Sequence, residues 1–377
     1  VIEPGYGISL RPLALFANEV YRDVDVSRFL PKGPVDAATF DAKDAALAAR
    51  MHKAIAVILF KLEGQIILRN PEFGMDDRLL LDKIDYANRT VRIGGADFPL
   101  RDTELPTVDR ANPYALSPEE ERVMAQLKAA FLSSEKLQRH ARFLYTKGGL
   151  YKCYNGNLLY HGCIPMNDDS SFMEFSIGCE KLAGRAFFDH AEALARQGYY
   201  APEGSSEKQS GKDFLWFLWC GRNSPLFGRD HIATFERALV PDETTWVERK
   251  NPYYSYYNDA DVCIRILREF GLEPDEALVA CAGSFGMRDA YEATLRLVDS
   301  GAEFTALFAI SDMMAIAAIK ALEDRGRRVP EDCSVIGIDG LELSEYTRPT
   351  LTTLVQPRER MGAESVRILM DMIEGRG

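Results

Sequence analysis

Leu47, Met51, Ile55, Ile58 and Leu59 recur at three- and four-residue steps inside an alanine-rich run. That period is one face of a helix, and it predicts a core-facing helix over 44–62, with a second over 8–22. The period then shortens. IDYANRTVRIGGADFPL, residues 84–100, alternates apolar and polar positions around Asn-Arg and Gly-Gly turns and predicts a small β-excursion. Ser117-Pro118-Glu119-Glu120 is a capping box with proline at the first helical position, so a polar helix is expected to run from there to about Tyr145. LYKCY and LLYHG flank Asn155-Gly156, a strong hairpin signal, which makes 150–161 two antiparallel strands and leaves His161 at a strand end. A helix is expected over 181–197 and a flexible polar loop over 204–212 (GSSEKQSGK). The following DFLWFLWCGRNSPLFGRD is the most aromatic stretch of the chain, and its Trp216 and Trp219, three apart, are expected in the core.

From about residue 277 the pattern changes. ALVACAG, a helix over 287–300, TALFAIS, a helix over 312–325 and CSVIGIDG alternate short unbroken apolar runs with helices. This is the grammar of a parallel sheet covered by helices on both faces.

Composition bounds what such elements can build. A chain of 377 residues has room for two or three domains with sizeable cores, and 46% apolar with 27% charged residues is ordinary for a globular protein. No run approaches the roughly 18 apolar residues of a membrane span, so no membrane role is expected. Seven cysteines at 153, 163, 179, 220, 263, 281 and 333 form no close metal spacing and are expected as reduced, mostly buried thiols of a cytoplasmic protein. The net charge of −12 argues against nucleic-acid binding. Arg325, Arg327 and Arg328 are the nearest approach to a basic patch, and they read as a solvated helix end. The chain opens at Val1 in a loop-like EPGYG without methionine and stops at Arg376-Gly377 after a helix, which reads as a fragment or trimmed chain.

YGISLRPLALFANEVY, FKLEGQIILRNPEFGMDDRLLLDKID, SEKLQRHARFLYTKGGLYKCYNGNLLYHGCIPMNDD, FLWFLWCGRNSPLFGRD and KNPYYSYYNDADVCIRILREFGL together resemble the middle and later part of class 3 fructose-1,6-bisphosphatases, over residues 1 to about 272. The resemblance implies a partial calcineurin-like metallophosphatase fold, a β-sandwich with flanking helices. It also implies Mn²⁺ and hydrolysis of the 1-phosphate of fructose 1,6-bisphosphate in gluconeogenesis. Two-metal hydrolysis needs carboxylate and imidazole ligands from several loops. The family draws them from Asp-x-His, Gly-Asp-…-Asp-Arg-Gly, Gly-Asn-His, His-Gly-Cys and a final Gly-His. This chain matches only His161-Gly162-Cys163, and no histidine follows His231. The resemblance therefore makes His161 a metal ligand whose partners are expected before Val1 or lost after EFGL. Arg222 and Asn223 fall where related phosphatases line the site, and equally in a turn capped by Pro225.

FTALFAISDMMAIAAIKALEDRGRRVPEDCSVIGIDG and YTRPTLTTLVQPRERMGAESVRILMDMI are similar to the second half of the sugar-binding core of lac and galactose repressors. This implies a partial, periplasmic-binding-protein-like parallel α/β sheet, with Ser311, Asp339 and Gln356 toward a sugar effector. Strand ends of open α/β sheets do line ligand crevices. Each residue also has a local reading: Ser311 as a helix cap, Asp339-Gly340 as a turn, Gln356 as extended chain before Pro357. A repressor's DNA reader is not part of this sequence, so no DNA binding is expected.

The two resemblances meet at FGLEPDEALV with no linker, dividing the chain into 1–272 and 273–377, both incomplete. Three functions arise as expectations: a fructose-1,6-bisphosphatase-related phosphomonoester hydrolase, inactive as this chain; a sugar-effector module; or a chimera with neither activity. Apolar surface left by incomplete folds predicts self-association.

Overall fold

Two lysines that the sequence offers as ordinary polar positions are wholly enclosed in the computed structural model, which describes residues 5–30, 42–177, 180–273 and 275–373. The chain divides into two units, Val1–Glu273 and Pro274–Gly377.

The first unit is built from helix α1 (Arg11–Val20), the long helix α2 (Ala42–Arg69) and a meander of β1 (Ile84–Asp85), β2 (Thr90–Ile93) and β3 (Ala96–Pro99). At 1.5 Å per residue α2 is about 42 Å long, and it runs seven residues past the predicted end at residue 62. Its middle is buried on several sides by Ala54, Val57, Ile58 and Phe60. Lys53 reaches Asp102 at 2.6 Å and the Asp25 carbonyl at 2.8 Å. Lys61 reaches Glu120 at 2.7 Å and the Thr107 carbonyl at 2.6 Å.

The predicted capping box is present and opens α3 (Pro118–Ser133). Its helix does not continue to Tyr145, however. The chain breaks at Ser134 (ψ 99°), whose hydroxyl donates to the Tyr6 carbonyl at 2.7 Å, and restarts as α4 (Glu135–Lys147). A serine side chain that finds a backbone acceptor elsewhere competes with helix continuation. Next come the hairpin strands β4 (Tyr151–Tyr154) and β5 (Asn157–Tyr160), where Asn155 and Gly156 take φ of 47° and 74° as an Asn-Gly turn requires. A short pair, β6 (Phe175–Ile177) and β7 (Glu180–Leu182), precedes α5 (Gly184–Tyr200).

The flexible loop expected over 204–212 is instead the start of α6 (Ser206–Cys220). Ser205 caps it, accepting from the Lys208 amide at 3.1 Å. Gly211 lies so close to Gly198 of α5 that a Cβ on it would come within 2.3 Å of that backbone. Glycine here is therefore a packing residue, which composition alone reads as flexibility. The aromatic run continues α6, with Phe214 and Phe217 buried, but Trp219 is 63% exposed, contrary to the expected core position. Helices α7 (Thr234–Leu239), α8 (Tyr253–Tyr256) and α9 (Ala260–Glu269) complete the unit. Among the described residues, what this unit contributes of the implied sandwich is three small antiparallel sheets among many helices.

The second unit carries α10 (Met287–Asp299), β8 (Ala306–Phe308), α11 (Asp312–Asp324), β9 (Ser334–Asp339), β10 (Thr352–Val355) and α12 (Arg358–Ile373). Its sheet is parallel, in the order β10-β9-β8. ALVACAG is not a strand: only a single turn forms at Glu276–Leu278, and the segment onward to Phe285 lines a cavity of about 600 Å³ beside β8 instead of pairing with it. A short apolar run does not by itself specify pairing. Nor are both sheet faces covered. Val335 is buried and Thr353 is tied to Asp312 of α11 on one face, while Phe308 and Leu354, in register with Ile336 and Ile338 on the other, are 57% and 55% exposed. The arginines at the end of α11 are occupied: Arg325 by Asp299, Arg327 by Phe304, Arg328 by Asp332.

Removing one member of an enclosed ion pair strands the other. Glu120→Ala is expected to lower the unfolding free energy by about 3–5 kcal/mol, read by urea denaturation. Lys61→Met combined with Glu120→Leu should recover most of that loss, and a single-variant loss under about 1 kcal/mol would contradict the assignment.

Candidate functional site

His161 comes directly after β5 and is exposed. Among the described residues it makes no hydrogen bond or ion pair. The two residues after it are rigidly held. Gly162 has φ of 78°, and a Cβ there would lie 2.2 Å from the Pro225 carbonyl oxygen, so only glycine fits. The Cys163 amide donates to that carbonyl at 2.9 Å, and its side chain is fully buried. Burial pushes the Cys163 thiol up to about 12. His-Gly-Cys is thus a clamp in which glycine and cysteine grip the Pro225 turn and the histidine is left to solvent.

The same turn carries Arg222 and Asn223. One terminal nitrogen of Arg222 donates to both carboxylate oxygens of Asp77 at 2.7 Å. Asn223 holds a positive φ of 54°, its amide donates to the Arg229 carbonyl at 2.7 Å, and its side-chain oxygen accepts from Asn251 at 3.2 Å. Asn251, which no sequence motif singles out, is the hub of this region. It is 2% exposed, and its side-chain oxygen accepts from the Met166 and Tyr253 amides at 3.0 Å each. Its position before Pro252 is the only sequence signal. Arg222 and Asn223 line a cavity of about 370 Å³ with Phe73, Phe214 and Phe217. His161 does not line it.

Among the described residues no group of three or more His, Cys, Asp or Glu side chains could hold a metal ion. The described donors around His161 therefore do not by themselves make up a two-metal centre.

In the second unit the structure gathers Ser311, Asp339 and Gln356 at the N-terminal end of α11. Ser311 accepts from the Met314 amide at 3.2 Å as the helix cap. Asp339 accepts from the Asp312 amide at 3.3 Å and from the Gln356 side chain at 3.1 Å. Asp312, missed in the sequence, is fully buried, and its carboxylate accepts from Thr353 and from the Leu341 amide at 2.7 Å. The three candidates are neighbours, and each already has a protein partner.

Comparison with known proteins places these features. The family model described as Firmicute fructose-1,6-bisphosphatase matches residues 1–283. The chain belongs to that family. Class 3 fructose-1,6-bisphosphatases of Clostridium acetobutylicum and Alkaliphilus metalliredigens are 47% and 48% identical over 276 residues, which is 73% of this chain and 41% of each relative. That of Listeria monocytogenes is 46% identical over 273 residues, 72% of this chain and 42% of the relative. The chain thus spans about two-fifths of the length of these relatives. The model of a periplasmic binding protein-like domain matches residues 262–377 and overlaps the first match over 262–283. Among solved structures, a transcriptional regulator CelR–cellobiose complex is 33% identical with a TM-score of 0.29, covering 39% of this chain and 38% of that one. The Escherichia coli transcriptional repressor ascG is 34% identical with a TM-score of 0.27, covering 31% and 42%. No helix among the described residues is long and apolar enough to cross a membrane.

The clamp makes a prediction about thiols. At pH 8 a thiol reagent should label the exposed Cys153 and Cys281 in the native protein and leave Cys163 unmodified until unfolding, because a thiol held near 12 stays protonated there. Rapid native labelling of Cys163, read by peptide mass spectrometry, would show that the clamp is open.

Proposed function

We propose that this chain carries part of the body of a fructose-1,6-bisphosphatase-type phosphomonoester hydrolase of carbohydrate metabolism, in residues 1–272, followed by a sugar-binding subdomain in 273–377. The observation that supports the first part is the family match over 1–283 together with the fixed presentation of His161. On this reading the substrate is fructose 1,6-bisphosphate in gluconeogenesis, the metal is Mn²⁺, His161 is one of several ligands, and the protein works in the cytoplasm. Arg222 and Asn223, steadied by Asp77 and Asn251, would form a wall of the substrate cavity. Among the described residues no group of three or more His, Cys, Asp or Glu side chains gathers around His161 to complete such a site, so on this reading the remaining ligands come from elsewhere.

The second reading, a sugar-effector module, is supported by the convergence of Ser311, Asp339 and Gln356 at one sheet end. It is weakened by their mutual hydrogen bonds, because a sugar must break the Gln356–Asp339 contact before it can use either group. A chimera with neither activity is the third reading, and the open sheet face of the second unit is in keeping with it.

Manganese-supplemented protein should release no more phosphate from fructose 1,6-bisphosphate than its His161→Ala variant. Turnover lost in that variant would instead place a complete metal site in this chain. Calorimetry against neutral sugars and sugar phosphates decides the second reading: heat of binding lost in Asp339→Asn supports it, and silence at millimolar ligand removes it. Exposed Phe308, Leu354, Phe143 and Leu144 predict dye binding and concentration-dependent self-association, and a dye-silent monomer in sedimentation would refute that expectation.

A further inference from the structure

A second cavity of the first unit, about 680 Å³ in volume, brings three basic side chains together. Arg28 reaches it from the turn Ser27–Phe29, His52 from α2 and Arg237 from α7, and Glu248 is the one acid among the described residues that line it. Neither His161 nor Arg222 takes part in its wall.

Arg28 is the group that the fold leaves unexplained. Its Nε is buried without a hydrogen-bond partner, and among the described residues its guanidinium joins no ion pair. Buried donors are almost always satisfied in folded proteins. The chain has 57 acidic against 45 basic residues, so a counter-ion was within its means, yet none is placed on Arg28. His52 packs edge-on against Phe29, with ring centroids 5.3 Å apart at 85°, and makes no hydrogen bond among the described residues. Arg237 donates one nitrogen to the Trp246 carbonyl at 3.2 Å and stands 3.7 Å from Glu248, beyond hydrogen-bond distance. Glu248 does not cancel the positive charge. Its carboxylate accepts from Arg229 at 3.3 Å and from the Ala233 amide at 3.0 Å, and Arg229 does not line the cavity. Arg28 and Arg237 thus hold a local positive charge in a chain whose net charge is −12.

We propose that this cavity binds a phosphate monoester of a small organic molecule, with the phosphate on Arg28, His52 and Arg237 and the organic body against Phe29, Leu30 and Ile232. A guanidinium presents paired N–H groups that match two oxygens of an oxyanion, and three basic groups around one space suit the three terminal oxygens of a phosphate better than the two of a carboxylate. A bare phosphate ion would leave most of the space empty, because cavities of about 300–1,000 Å³ hold whole small molecules. The apolar part of the wall takes the remainder of the ligand.

The test uses the whole chain with ¹³C-labelled histidine rings, kept in EDTA so that metal-dependent hydrolysis plays no part. The chain has five histidines, and His52→Gln and His161→Ala assign two of their ring signals. At constant pH and ionic strength, phenyl phosphate should move the His52 signal saturably in the millimolar range or below while His161 stands still. Inorganic phosphate should do the same more weakly, and phenol should not. Arg28→Met should weaken phenyl phosphate by about ten-fold or more, the loss expected for a charged hydrogen bond, and Arg28→Lys should recover only part of it. A static His52 signal, a shift that never saturates, one that His161 shares, or phenol acting as well as phenyl phosphate overturns the proposal, as does unchanged affinity in Arg28→Met. Should Arg28→Met not fold, Arg237→Met is read in the same way, and unchanged affinity there counts against the site.

Discussion

A cation that leaves water must find an anion, and in the first unit that constraint fixes the path of the chain around α2. Lys53, Lys61 and Arg69 stand eight residues apart on this helix and reach Asp102, Glu120 and Asp213 respectively. Each partner comes from a different segment: the stretch after the β-meander, the first turn of α3, and the middle of α6. Glu120 is the tightest of these junctions, because the same oxygen that accepts from Lys61 also accepts from the Ser117 amide and closes the capping box. Such pairs add little net stability over an apolar core, but they are intolerant of alternatives. A register shift of α2 by one residue would turn these three cations away from their partners. The third pair is bidentate, Arg69 to Asp213 at 2.9 and 3.1 Å, and anchors α6, whose last residues lead into the Arg222 turn.

The candidate site is held the same way, by satisfied polar contacts around a backbone that leaves little freedom. Gly162 and Cys163 grip the Pro225 turn, Asn251 pins Met166, Tyr253 and Asn223, and Asp77 holds Arg222. This is a rigid stage for a histidine, and rigidity is what a metal ligand or a substrate-positioning side chain requires. Among the described residues no group of three or more His, Cys, Asp or Glu side chains gathers there. In the second unit the balance is reversed. Ser311, Asp339 and Gln356 converge, yet their hydrogen-bonding capacity is spent on α11 and on one another, and the buried Asp312 binds the sheet ends together from below.

Local signals that name both partners within a few residues were legible from the chain. The Asn155-Gly156 turn, the Ser117–Glu120 box, the Ser311 cap and the alternation of β2 and β3 each contain their own hydrogen-bond donors and acceptors or their own period. The long motifs that resemble fructose-1,6-bisphosphatases were legible for the same reason, as contiguous residues. Where the partner is remote, the sequence misled: Gly211 looked like loop and is the contact with α5, Ser134 looked helical and is drawn off by Tyr6, and ALVACAG looked like a strand and found no edge to pair with.

By itself, then, the sequence determined the hairpin that delivers His161, the Ser117 capping box, the Ser311 cap, the apolar faces and the family. Only the tertiary structure decided which lysines would be enclosed, that Asn251 rather than Arg222 would be the hub of the turn, and that the buried Glu236 would hold Arg78. The physical reason is common to all three. Periodicity reports which face of an element is apolar, whereas the state of a buried polar group depends on a partner tens to more than a hundred residues away, and that pairing exists only once the chain has closed around it.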